Sequence, residues 1–169
     1  CGNSRPASGS EHHLSHFFEV TGLLYNEPYF CHGIDVAYST YVTARLRQEL
    51  QTIEMPEAKK FDKDEWEASI RRVYGAIDNM TTAEGIIALQ KKLGWIYENK
   101  LPLYREKWSE IREVLANSPT PEQVLEMLET IELNIKEFEK MYGEKKLTDG
   151  IRYAKDLKDR YTVLWMYEQ

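Results

Sequence analysis

From residue 10 onward the apolar positions of this chain recur at helical spacing, and no stretch alternates with the two-residue rhythm of a strand. Ile86, Leu89, Leu93 and Ile96 follow one another at intervals of 3, 4 and 3 residues. Tyr104, Trp108, Ile111 and Leu115 repeat the pattern at 4, 3 and 4. Val124, Leu128, Ile131, Ile135 and Phe138 extend it, which predicts one long helix of about 20 residues. Ile151, Ala154, Leu157, Tyr161 and Leu164 predict a final helix. Stripes of this kind are core faces.

Capping residues punctuate the stripes. Thr120-Pro121-Glu122-Gln123 places a capping threonine before a proline at the first helical position, with Gln123 positioned to close a capping box. Thr81-Thr82-Ala83-Glu84 follows the same logic, and Thr148 or Asp149 is expected to cap the last helix. Gly143 fits just past the end of the helix before it. Pro56 and the stretch 117–121 interrupt the pattern, but neither is long enough for an interdomain linker. The prediction is a single all-α domain over residues 1–169, with about seven or eight helices. Residues 1–10 are small and nearly free of hydrophobes, and are expected to be a flexible lead-in.

Composition narrows the function. The chain has 169 residues, of which 42% are apolar, enough for a core. With 28 acids against 22 bases its net charge is −6, which argues against a nucleic-acid or anionic-membrane surface. No apolar run approaches the roughly 18 residues that span a bilayer. Two cysteines, Cys1 and Cys31, are too few for a disulfide scaffold. A reducing, cytoplasmic setting is the expectation. The chain opens on Cys1 without a methionine, which suits a piece of a longer protein or, alternatively, a lipid-anchored helical binding protein acylated at that cysteine.

The chemistry concentrates near the start. Of four histidines, His12, His13 and His16 fall within five positions, and His32 opens the next predicted helix. His12 and His16 share a helical face about 6 Å apart, and a short turn through Tyr25-Asn26-Glu27-Pro28-Tyr29 returns His32 beside them. Imidazoles are ready ligands for zinc and its neighbours. His12 and His32 are the predicted ligands, with His16 as a third ligand or an outer group. Glu11 is expected to cap or to orient an imidazole, and His13 to point away as a solvated or structural residue. Cys31 is expected to be a small buried hydrophobe, with a thiolate metal ligand as the alternative. Arg5, beside Ser4 and Ser8, is a candidate for holding a phosphate.

The run Ser4-Arg5-Pro6-Ala7-Ser8-Gly9-Ser10-Glu11-His12, then Ser15-His16, then His32-Gly33, resembles the metal-binding region of glycerol-1-phosphate dehydrogenases. These belong with iron-type alcohol dehydrogenases, glycerol dehydrogenase and 3-dehydroquinate synthase. The tail Ile151-Arg152-Tyr153-Ala154-Lys155-Asp156-Leu157-Lys158-Asp159-Arg160-Tyr161-Thr162 is similar to that of the same branch. The resemblance implies the C-terminal helical domain of the dehydroquinate synthase-like fold, without the N-terminal nucleotide-binding domain. It implies a divalent metal (zinc, nickel or iron) on His12 and His32 plus an aspartate from the absent half, and His16 as the proton-transfer residue. Arg5 and Ser8 fall to substrate binding. The implied reaction is NAD(P)-dependent interconversion of dihydroxyacetone phosphate and glycerol 1-phosphate, in a homo-oligomer, with NAD(P) carried by the absent domain. Two departures stand out. Ile34-Asp35 follows His32-Gly33 where much of the superfamily has glutamate, and no glycine-rich nucleotide loop occurs. Another polyol dehydrogenase and a non-catalytic helical module are the alternatives.

Overall fold

Helix ends in this protein are set by residues that satisfy orphan backbone groups, and the longest predicted stripes break where such residues compete. The computed structural model describes residues 9–57, 60–76 and 79–168. The helices are α1 (Ser10–Tyr25), α2 (His32–Thr52), α3 (Lys63–Tyr74), α4 (Thr81–Leu93), α5 (Leu101–Ala116), α6 (Pro121–Thr130), α7 (Ile135–Tyr153) and the five-residue α8 (Val163–Tyr167). Among the described residues no strand occurs, only an isolated bridge between Ala76 and Asn79. The all-α architecture is as predicted.

The Thr120 capping box forms as expected: its hydroxyl accepts from Gln123 N at 3.3 Å, and Gln123 Oε1 accepts from Thr120 N at 2.9 Å. The start of α4 is different. Thr81 lies inside the helix, and the Asn79 side chain accepts from Thr81 N at 3.1 Å instead.

The predicted long helix over 124–138 is two helices. Glu132 takes a left-handed conformation (φ 61°), Leu133 N donates back to Leu128 O, and Asn134 caps α7 by accepting from Lys136 N at 3.0 Å. Ile131, in the middle of the expected stripe, is exposed. The turn lets Leu128 and Phe138 both reach the core without a straight rod between them.

Gly143 breaks the ladder of α7, as its position suggested, with φ 66° and ψ 165°. Thr148 and Asp149 do not cap. They lie within α7, where Asp149 receives two 2.8 Å bonds from the Arg72 guanidinium.

The final helix is also interrupted. Ala154–Leu157 form a 3-10 turn and residues 158–162 leave helical geometry before α8. Buried Gln90 explains this, since its Nε2 donates to the carbonyls of Asp156 (2.7 Å) and Lys158 (3.2 Å). A side chain from α4 thus takes carbonyls that a continuing helix would have paired.

Helix α1 is central, packing chiefly against α2 and also against α3, α7 and the 3-10 turn. Its Leu14, Phe17 and Phe18 are fully buried. Phe18 stacks on Tyr142 at 3.9 Å and meets Phe138 edge-on, while Phe17 meets Tyr74 edge-on at 5.9 Å. Gly150 lets α7 approach: a Cβ there would lie 3.1 Å from the Phe17 ring. Leu50, Trp108 and Leu115 form a second cluster where the far end of α2 meets α5. This packing leaves the N-terminal end of α1 and the start of α2 side by side.

Candidate functional site

Helical period carries His12, Ser15, His16 and Glu19 along one side of α1, and the Asn26–Cys31 turn brings His32 against them. The turn begins with Asn26 in the left-handed region, and Glu27 N closes it onto Gly22 O at 2.9 Å. The His12 and His32 ring centres lie 5.5 Å apart, and those of His16 and His32 lie 4.8 Å apart. All three imidazoles that the sequence pointed to therefore converge.

Carboxylates and a hydroxyl orient the rings. Glu11 Oε1 lies 3.3 Å from His12 Nδ1 and accepts from Gly9 N at 3.0 Å, so it both caps α1 and steadies that ring. Glu19 Oε2 lies 3.3 Å from His16 Nδ1 and 4.0 Å from His32 Nδ1. The Ser15 hydroxyl donates to His32 O at 3.2 Å and sits 3.0 Å from its Nδ1. His16, Glu19 and His32 each offer a ligand atom within 4.8 Å of the others. Two imidazoles and a carboxylate form the donor set of a divalent transition metal, and each stays partly exposed. The donor chemistry fits such an ion.

The surroundings are basic on one side. Burial, then the charges of Lys158 and His32, lower the His16 pKa against the opposing pull of Glu19. Burial and Arg160 lower that of Lys158 in turn. His13, one residue round from the site face, is fully buried with neither ring nitrogen hydrogen-bonded among the described residues. Burial, with Lys158 and Arg160, takes its pKa down to about 4. It is a neutral core residue, the structural option of the two expected.

Three points depart from or lie beyond the sequence reading. Cys31 is exposed, not buried, because it precedes α2 on the turn. Arg5 and Ser8 lie outside the described residues. Glu19, Lys158 and Arg160 were not singled out. Glu19 was legible as the residue three after His16 on the same face, whereas Lys158 and Arg160 reach the site only because the 3-10 turn redirects the chain.

The chain is 38% identical over 58 residues to a glycerol-1-phosphate dehydrogenase (NAD(P)+) of Halalkalibacterium halodurans. The matched stretch covers 31% of this chain and 14% of that protein. No family model matches the chain, and no solved structure matches it. No helix among the described residues is long and apolar enough to cross a membrane.

Proposed function

We propose that the histidine face of α1 and α2 binds a divalent transition metal and serves metal-dependent, NAD(P)-linked oxidoreduction of a small phosphorylated polyol or ketone. Dihydroxyacetone phosphate and glycerol 1-phosphate are the favoured pair. The observation that carries this reading is the convergence of His12, His16 and His32, with Glu19 alongside. The partial similarity to a glycerol-1-phosphate dehydrogenase supports it.

His12 and His32 would hold the ion, which supplies Lewis-acid polarisation of a carbonyl oxygen when bound. Glu11 and Ser15 orient the two rings. His16 has its Nδ1 turned to Glu19, leaving Nε2 to exchange a proton with the substrate oxygen. Its lowered basicity suits a group that must give the proton up. Lys158 and Arg160 place positive charge beside the face, which favours a phosphorylated substrate over a neutral polyol. Arg5 and Ser8 are proposed to join them at the phosphate. The described residues form no βαβ unit, so no residue of this chain is assigned to the dinucleotide.

A second reading is favoured by one distance. His16, Glu19 and His32 have ligand atoms within 4.8 Å of one another and would themselves form a three-ligand site, with His12 outside it. Calorimetric Zn²⁺ and Ni²⁺ titration of the wild-type chain and of His12→Ala, His16→Ala, Glu19→Gln and His32→Ala separates the two. In the first reading His12→Ala loses the metal and His16→Ala keeps it; in the second the order reverses. If none of the four variants changed binding, neither reading would stand.

A further inference from the structure

His32 is bracketed, two residues before and three residues after, by a single oxygen atom from a distant helix. Tyr142 of α7 accepts a hydrogen bond from Phe30 N at 3.1 Å and donates to the Asp35 carboxylate, 2.7 Å from Oδ1 and 2.9 Å from Oδ2. Asp35 is completely buried, and among the described residues no other hydrogen bond reaches its carboxylate. Burial raises its pKa to about 7, with Tyr142 and Lys146 pulling the other way. Burying a carboxyl group costs stability, and the Tyr142 hydrogen bonds offset part of that cost.

The same side chain grips the other helix of the site. The Tyr142 ring stacks on Phe18 at 3.9 Å with 12° between planes, and Phe18 stands between His16 and Glu19 in α1. Lys146, one turn on, anchors the turn from outside through Glu27 at 2.8 Å and lies over the Tyr142 ring. The Phe30 ring packs on Tyr38 and meets Tyr142 edge-on.

We infer that the Tyr142 hydroxyl, acting between Phe30 N and Asp35, is the positioning group that sets His32 against His16 and so fixes the geometry of the site. Tyr142 touches no histidine, and it acts through the backbone that carries His32. The inference deepens the metal-site reading and rests on it for its functional meaning.

Tyr142→Phe keeps the ring on Phe18 and deletes only the oxygen. Amide hydrogen exchange at residues 30–34 of the metal-free chain is expected to quicken about tenfold, with α4 unchanged. Zn²⁺ affinity is expected to fall about tenfold, as for other groups that orient ligands. Asp35→Asn, which still accepts from Tyr142, is expected to lose under about threefold. Leu115→Ala in the second core cluster serves as a control that loses stability at a distance and is expected to keep the wild-type affinity. Unchanged exchange at 30–34 in Tyr142→Phe overturns the inference, as does a Leu115→Ala chain that weakens metal binding as much. A wild-type chain that binds no Zn²⁺ would count against the metal reading alone, and the exchange result would still decide the clamp.

Discussion

Two polar regions flank the core around α1, and they handle their polar groups in opposite ways. In the 3-10 turn, Asp156 is fully buried, yet Lys155 Nζ lies 3.3 Å from Oδ2 and Trp66 Nε1 donates to Oδ1 at 3.3 Å. Lys155 also faces the Trp165 and Tyr153 rings, and burial raises the Asp156 pKa against the pull of Lys155. On the histidine face, His16, Glu19 and His32 each offer a ligand atom within 4.8 Å of the others, the His12 ring lies beside His32, and Ser15 donates to the His32 carbonyl. The first region pairs its buried carboxylate with an ammonium and an indole N–H of the same molecule. The second leaves the donor atoms of His16, Glu19 and His32 close together and partly exposed, as a bound cation requires.

The sharpest way to break that contrast is Asp156→Ala. It takes the carboxylate from a buried ammonium, which keeps the Arg152 carbonyl, and from an indole N–H, so urea denaturation should show a loss of about 3 kcal/mol. A loss under about 1 kcal/mol would mean that the Lys155–Asp156–Trp66 cluster does not hold the turn.

Next in size is a pH test on metal-free protein. Asp35 titrates near 7 when folded and near 3.8 otherwise, so the folded state holds the extra proton between those values. Its contribution is full below about pH 4 and is lost as pH rises through 7, by about 4 kcal/mol. His13 runs the other way: with a folded pKa of about 4 against 6.5, its contribution is present above 6.5 and lost as pH falls through 4, by about 3 kcal/mol. These two contributions should therefore nearly cancel from pH 4.5 to 6.5. Asp35→Asn should fall toward acid over that range and His13→Leu should rise toward acid. Parallel profiles in all three proteins would refute both assignments.

His32→Ala should lower Zn²⁺ affinity by at least about 100-fold, about 2.7 kcal/mol, while changing unfolding free energy by under about 1 kcal/mol. The opposite split would turn the histidine face into architecture. The smallest effect expected is that of Ser15→Ala, about 1 kcal/mol in stability and a few-fold in metal affinity, since it removes one hydroxyl from His32. Metal affinity unchanged in this variant would assign Ser15 to helix packing alone.

Much of the helical content was legible because helix signals are local. The Thr120 box, the Gly143 break and the stripe from Tyr104 to Leu115 all act within a turn or two of the residues that reveal them. The stripes that failed did so where a competing cap or a distant side chain took over the backbone. Ile131 fits the helical period, yet Asn134 and the demands of Leu128 and Phe138 on the core bend the chain. Leu157 and Tyr161 fit it as well, yet Gln90 from α4 takes the carbonyls of 156 and 158.

The site divides in the same way. That His12, His16 and Glu19 share a face follows from 3.6 residues per turn and needs no knowledge of the rest of the molecule. That His32 meets them at 4.8 and 5.5 Å, that Lys158 and Arg160 charge the surroundings, and that one tyrosine 107 residues from Asp35 ties the turn down were decided only by the packing of α1, α2, α7 and the 3-10 turn. Periodicity records which residues lie on one helix face. Which faces meet is set by the burial of side chains far apart in the sequence, and no local pattern carries that information.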